Sequence, residues 1–326
     1  MLVTDPALRY SLVKTVMKKN TQNPADHIVP LNMNGLQGRM LHLPAKGRGT
    51  RDMLFVYGHH SSLERWWGLM EVFNEYGSVT MPDLPGFGGM DSFYKVGQKP
   101  TIDAMADYLA AFIKWRYKRK KKFTLVGMSL GFVVATRMLQ RYPELVPKVD
   151  MLVSLVGFAH KDDFTFSKPR FWFYQTVARI LTFKVPAIVF RYVALNSIVL
   201  RLFYARTHNA KKKFEAAVSK EDFNRLMDVE IDLWQSNDVR TQMVTGGEFL
   251  TLDNCKVRVD LPVWHVTTAN DHFFNHTVVE QHMRVIFSDF HEIETKIMSH
   301  APSVIADAEM AAPLVPTKLR KALSGN

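Results

Sequence analysis

The chain reads as an α/β protein, a mostly parallel sheet flanked by helices with an inserted helical cap, on three observations. Short apolar runs of strand length alternate with helical patterns between residues 53 and 157. One of these runs, at 123–126, leads directly into Gly127-Met128-Ser129-Leu130-Gly131, and a helical pattern leaves that pentapeptide. The alternation then stops from 159 to 260, where aromatic residues crowd several helical segments, and resumes at 261.

Each element follows from local signals. Residues 1–35 are expected to form an N-terminal arm. In it, Leu8, Leu12 and Val16 interleave with Arg9, Lys14, Lys18 and Lys19 as a basic amphipathic helix, without the uninterrupted apolar run of a secretory signal. Residues 36–43 alternate between Asn34-Gly35 and Pro44, which marks a strand with turns at both ends. A buried strand at 53–57 ends at Gly58, and a helix over 61–76 has Ser61 or Ser62 available as its N-cap. A strand at 79–81 opens into Asp83-Leu84-Pro85-Gly86-Phe87-Gly88-Gly89, a sequence only a loop accommodates. Thr101 caps a helix to about 117, the strand 123–126 and its helix follow, and 150–157 is a continuous apolar strand. After the insertion come a strand at 261–268, a helix at 275–287, a strand at 291–296 and a helix at 302–311; Pro313 and Pro316 introduce a basic tail. The expected division is therefore an arm (1–35), a sheet core (36–158 and 261–326) and a cap (159–260).

A chain of 326 residues, 47% hydrophobic, buries a core large enough for one domain with a sizeable insertion. Its net charge of +11 favours anionic surfaces, and its single cysteine, Cys255, forms no internal disulfide and fits a reducing, cytoplasmic setting. Arg179, Lys184, Arg191 and Arg201 interrupt the longest hydrophobic region, so no membrane-spanning helix is expected.

The chemistry of position 129 singles it out. A sharp strand-to-helix turn lifts a serine hydroxyl into a cavity only if small residues stand two places before and after it, and Gly127 and Gly131 do. A serine is a poor nucleophile at neutral pH, so a histidine must take its proton and a carboxylate must hold that imidazole in the right tautomer. In an open parallel sheet, residues just past the carboxyl ends of strands line one crevice. Asp271, after strand 261–268, and His300, after strand 291–296, stand at such positions, as Ser129 does. Read singly, Asp271 is a turn aspartate and His300 a neighbour of a helix start. Asp162 and Asp163, after strand 150–157, are rival acids, and His272, adjoining Asp271, is a rival histidine.

With these residues in view, the chain resembles the α/β-hydrolase superfamily from about 36 to 312, in the subgroup whose helical cap is inserted between two late strands. The resemblance implies a triad of Ser129, Asp271 and His300. It also implies an oxyanion hole built from the backbone N–H groups of Leu130 and His59. The family commonly has His-Gly where this chain has Tyr57-Gly58-His59-His60: Gly58 and His59 align, and Tyr57 departs. The loop from Asp83 resembles Asp-x-Pro-Gly-x-Gly-x-Ser with Met90 in place of the serine, and reads as support for the pocket. A serine nucleophile implies a serine esterase or lipase, a carbon–carbon bond hydrolase or an acyltransferase, and sets the chain apart from epoxide and haloalkane hydrolases. The alternative of another class is a catalytically silent hydrolase fold that binds a lipid or a partner.

The aromatic cap favours a small-molecule ester or thioester with a hydrophobic acyl or aromatic group, a lipid-like substrate. No cofactor is expected, because no glycine-rich phosphate loop follows a strand. No metal is expected either, since His272 and His276 have no second pair of ligands. No nucleic-acid partner is expected. The basic run at 114–122 reads first as a solvated helix end and second as a peripheral anionic-membrane or nucleic-acid contact, and Lys211, Lys212 and Lys213 in the cap read as a contact with a phospholipid headgroup or a bilayer surface.

Overall fold

The computed structural model describes residues 23–46, 49–118, 122–206, 219–268, 271, 273–295 and 307–325, with Asp222 described by its backbone alone. Eight strands form one sheet: β1 (Ile28–Met33), β2 (Leu36–Leu43), β3 (Arg51–Val56), β4 (Gly77–Pro82), β5 (Phe123–Met128), β6 (Val149–Leu155), β7 (Val259–Thr268) and β8 (Phe287–Thr295). Their spatial order is β1-β2-β4-β3-β5-β6-β7-β8. β1 and β2 pair antiparallel, β2 meets β4 antiparallel, and every later pairing is parallel. A parallel sheet needs cover on both faces, and β5 is accordingly buried at each of its positions.

That cover comes from α1 (Trp67–Asn74), α2 (Ile102–Arg116), α3 (Leu130–Arg141), α9 (His276–Ile286), the short α10 (Ala308–Ala311) and α11 (Thr317–Ser324). Thr101 accepts from Ala104 N at 3.1 Å and caps α2 as its sequence predicts, and Asn275 does the same for α9.

Three local expectations give way. The sheet begins inside the stretch read as an arm, because β1 pairs along its whole length with β2 through the hairpin turn Asn34-Gly35, both at positive φ. Pro30 masks this strand in the sequence, and an edge strand tolerates it. The helix expected from 61 starts instead as a 3-10 turn at Glu64–Trp66 with no side-chain cap, and the Ser61 hydroxyl accepts from the Trp66 indole. The expected basic tail contains α11, whose Leu319 and Leu323 are buried, and Arg51 of β3 donates to Ala322 O at 2.9 Å. Residues 302–306 of the expected last helix lie outside the described residues, as do Arg119, Lys120 and Lys121 and the lysines at 211–213. Lys114, in the first basic run, pairs with Glu144 at 2.8 Å.

Between β6 and β7 the chain forms α4 (Lys168–Leu181), α5 (Lys184–Val193), α6 (Ser197–Arg206), α7 (Lys220–Ser236) and α8 (Val239–Phe249). This insertion has a small core of its own around Leu200, Tyr204, Met227 and Ile231, separate from the core that wraps the sheet. The start of α8 fastens it to the body. Gly88 N donates to Asn237 Oδ1 at 2.8 Å, Asp238 N donates to Gly86 O at 2.8 Å, and the Ser92 and Thr241 hydroxyls meet at 2.9 Å. The loop expected to support the pocket is thus also the seam with the insertion. Its Met90 packs on β2, where a Cβ on Gly38 would lie 2.6 Å from Met90 Cγ.

Candidate active site

The strand order places a crevice at the carboxyl ends of β3 and β5. After β3 the chain crosses to β4 on one side, then returns to β5 on the other, so the connections diverge and leave a gap between these neighbours. Ser129 follows β5 immediately and is held at φ 47°, ψ −114°, a conformation costly for a residue with a Cβ. Main-chain bonds hold it there: Ser129 N donates to Leu155 O at 3.0 Å, and Phe132 N and Val133 N donate to Ser129 O at 3.0 and 3.2 Å. The flanking glycines have a steric cause. A Cβ on Gly127 would lie 2.5 Å from Phe132 Cα, and one on Gly131 would lie 2.0 Å from Val56 O. The turn therefore closes only because neither residue has a side chain.

Gly58 abuts the serine, since a Cβ there would stand 3.4 Å from Ser129 Cβ. Leu130 is the first residue of α3, where helix geometry provides no intrahelical acceptor for the N–H and the positive end of the helix dipole lies. His59 lines the same cavity as Ser129. Burial pushes its imidazole down to about 4, so the ring is neutral at neutral pH; Nε2 lies 3.1 Å from Gln242 O, to which it donates, and 3.2 Å from Thr245 Oγ1. The side chain is thereby anchored in α8.

Tyr57 stands where the resemblance leads one to expect a histidine. Its hydroxyl donates to Asp83 Oδ1 at 2.9 Å and accepts from Leu84 N at 2.8 Å, and burial raises its pKa further. Burial also pushes the Asp83 carboxyl up to about 7, against the pull of Arg39, whose Nε donates to Asp83 Oδ2 at 3.0 Å. A Cβ on Gly88 would sit 2.0 Å from Asp83 Oδ1 and 3.0 Å from the Tyr57 hydroxyl, so the loop after β4 closes tightly on this pair.

Asp271 stands on the connection after β7, half-buried, and its Oδ1 accepts from Phe273 N at 2.8 Å. Phe273 and Phe274 line the cavity. His300 and the rival His272 lie outside the described residues. The rival acid Asp163 is buried and committed elsewhere: it accepts from Ala159 N at 2.7 Å, from His160 N at 2.9 Å and from His282 Nδ1 at 2.5 Å. It serves to brace the loop after β6. Asp162 is exposed, 3.4 Å from His160.

The cavity beside Ser129 measures about 780 Å³. Eleven of its 23 lining residues are Phe, Tyr or Trp, drawn from the body (Phe158, Phe274) and the insertion (Tyr174, Phe203, Trp234) alike, which gives it a largely apolar wall. Two lining residues carry no sequence signal. Val156 follows β6 at φ 45°, a strained conformation for a β-branched residue, and lines the same cavity as Ser129. Arg65 is buried, donates to His60 O at 3.0 Å, and has its pKa lowered by burial despite the carboxylate of Glu230 nearby. A lone arginine on a helix reads as solvated, and Glu230, which also contacts His60 Nε2 at 3.3 Å across 170 positions of sequence, lies in the distant α7. Among the described residues no three His, Cys, Asp or Glu side chains are grouped to hold a metal ion.

Comparison with known proteins agrees with this geometry. The chain is similar to Protein ABHD8 from Bos taurus, 35% identical over 101 residues, which cover 31% of this chain and 23% of that one. It is similar to a pimeloyl-[acyl-carrier protein] methyl ester esterase from Wigglesworthia glossinidia brevipalpis, 26% identical over 117 residues, 36% of this chain and 41% of that one. The matches thus span less than half the length of these relatives. The fold superposes on a putative acyltransferase from Salmonella enterica with a TM-score of 0.65 at 15% identity, over 94% of this chain and 97% of that one. The model of the alpha/beta hydrolase fold matches residues 53–280, from β3 through the insertion into α9. With well over half its length matched, and the strand order and strand-to-helix turn described above, the chain belongs to the alpha/beta hydrolase fold family.

Proposed function

We propose that the protein is a serine hydrolase that cleaves a carboxylic ester or thioester with a hydrophobic acyl or aromatic group, through an acyl-enzyme on Ser129. The observation that carries this reading is a serine held at φ 47° beside a cavity of about 780 Å³ with a largely aromatic wall. Steric strain at a residue whose hydroxyl serves no capping role marks a functional position.

In this mechanism Ser129 Oγ attacks the substrate carbonyl while His300 takes its proton, and Asp271 holds the imidazole in the tautomer that can receive it. The backbone N–H groups of Leu130 and His59 stabilise the oxygen that becomes negative. His300 returns the proton to the departing alcohol or thiol. Water, activated by the same histidine, then attacks the acyl-enzyme, releases the acid and restores Ser129. The aromatic walls hold the apolar group and exclude bulk water from the intermediate. The Wigglesworthia relative, a methyl ester esterase, supports ester cleavage as the reaction class.

A fluorophosphonate probe tests the nucleophile: the wild-type protein labels, and Ser129→Ala does not. Equal labelling of both proteins, or no labelling of the folded wild type, overturns the reading. On p-nitrophenyl esters, Ser129→Ala, His300→Ala and Asp271→Asn each lower kcat by roughly a thousandfold or more. kcat/KM rises with acyl length in the wild type, and a preference for acetyl refutes the apolar acyl site.

A further inference from the structure

The insertion carries an outward-facing surface that its own packing does not use. Thirteen of the twenty exposed large hydrophobic side chains among the described residues fall between 168 and 206, the span of α4, α5 and α6. Trp172, Phe183, Val185 and Ile198 are 65%, 64%, 70% and 70% exposed. Water-facing aromatic and branched residues at this density are rare on a soluble surface and mark a contact. The same 39 residues contain seven Lys and Arg and neither Asp nor Glu, whereas acidic side chains are spread through the rest of the chain. Two of these cations are turned into the insertion: Arg191 donates to the carbonyls of Asn237 and Gln235, and Arg201 pairs with Asp228. Lys168, Arg179, Lys184 and Arg206 are exposed and have no acidic partner among the described residues.

We propose that α4, α5 and α6 form a docking face for an anionic phospholipid bilayer. Apolar side chains interleaved with unopposed cations match the two layers such a surface offers, acyl chains below and negative headgroups above. The helices lie on the membrane and do not cross it. α5 and α6 have 10 residues each, about 15 Å by helical rise and half the hydrocarbon thickness. They are bent by 70° at the break between them, and no single described helix is long and apolar enough to span. A bent pair of short amphipathic helices buries both apolar faces at the interface when it lies flat.

The face is continuous with the Ser129 cavity. Phe173 of α4 and Phe203 of α6 are 63% and 56% exposed, and both also line the cavity. A molecule dissolved in the bilayer reaches the serine along apolar side chains; this consequence rests on the hydrolase reading, and the docking does not.

The test is co-sedimentation of the full-length protein with vesicles of phosphatidylcholine alone and of phosphatidylcholine mixed with phosphatidylglycerol. The wild type pellets with the mixed vesicles and much less with the neutral ones. The triple variant Trp172→Ser, Phe183→Ser, Ile198→Ser partitions at least about tenfold less at an unchanged Tm. A second variant, Arg179→Glu with Lys184→Glu, loses binding to the mixed vesicles and keeps its fold. The proposal fails if the wild type pellets with neither vesicle or equally with both, or if the triple variant pellets like the wild type. It also fails if the wild type is a dimer that the triple variant dissolves and neither binds vesicles, because a second copy then covers the face. Labelling of Ser129 is scored separately, so loss of docking and loss of catalysis are told apart.

Discussion

β5 is buried at all six of its positions, whereas α5, of ten residues, buries Ala187 alone and exposes Val185, Ile188, Val189, Tyr192 and Val193. In the body, hydrophobic residues account for themselves, because each strand or helix presents its apolar face to another layer. In the insertion they do not. Part of the apolar surplus faces the Ser129 cavity and part faces outward, so hydrophobicity there is not used up by the packing of the chain on itself. The two regions also differ in backbone tolerance: the body approaches itself through main-chain atoms at Gly127 and Gly131, while glycines of α8 have room around them.

That contrast breaks most sharply at the glycines. Gly131→Ala places a Cβ 2.0 Å from Val56 O, a main-chain atom that cannot swing away, and is expected to cost about 3 kcal/mol or more. Gly247→Ala in α8 meets only Ala178 Cβ at 3.5 Å and is expected to gain up to ~1 kcal/mol from helix propensity. Urea unfolding reads both, and equal effects at the two sites would erase the distinction.

Acid sharpens the comparison next. Burial pushes His59, bonded to α8, down to about 4, and His265, within the body and 2.8 Å from Ser154 Oγ, to about 3. An unfolded histidine titrates near 6.5. Above that value neither state binds the proton, and the contribution of each neutral ring to stability is complete. As pH falls below about 6.5 the unfolded chain takes protons the folded one refuses, so stability is lost progressively toward 4, by about 1 kcal/mol per histidine at pH 5.5. Tm should fall from pH 7 to 5.5, and His265→Asn and His59→Gln should each flatten that slope. A slope unchanged in both variants would place the acid sensitivity elsewhere.

The smallest effect on stability lies at Ser129. Ser129→Gly abolishes fluorophosphonate labelling and raises stability by roughly 1 kcal/mol, because glycine adopts φ 47° without strain. A stability loss in thermal melts would mean that the serine side chain contributes more to folding than its backbone costs.

What the sequence reveals follows the same division. The strand, turn and helix around Ser129 are legible because the steric demand falls on residues two positions apart. The cap of α2 is legible because Thr101 acts on an N–H group three positions on, whereas Asn275, read as the first residue of its helix, is the cap of α9. β1 escapes because Pro30 and solvent-facing positions hide its alternation, and α11 because two prolines precede it. Asp163 and Arg65 escape for a non-local reason: one is bound by His282, 119 positions away, and the other lies near Glu230 of α7. Local chemistry is visible in a string of residues. Burial by a distant segment is not.

The setting of Ser129 is written almost wholly in main-chain atoms: its own N–H on Leu155 O, its carbonyl on two amides, and α3 pressed to within a methyl group of Val56 O. Because these contacts run through main-chain atoms, the steric demand of the turn falls on the absence of side chains at positions 127 and 131 and leaves the side chains of Leu155 and Val56 unspecified by it.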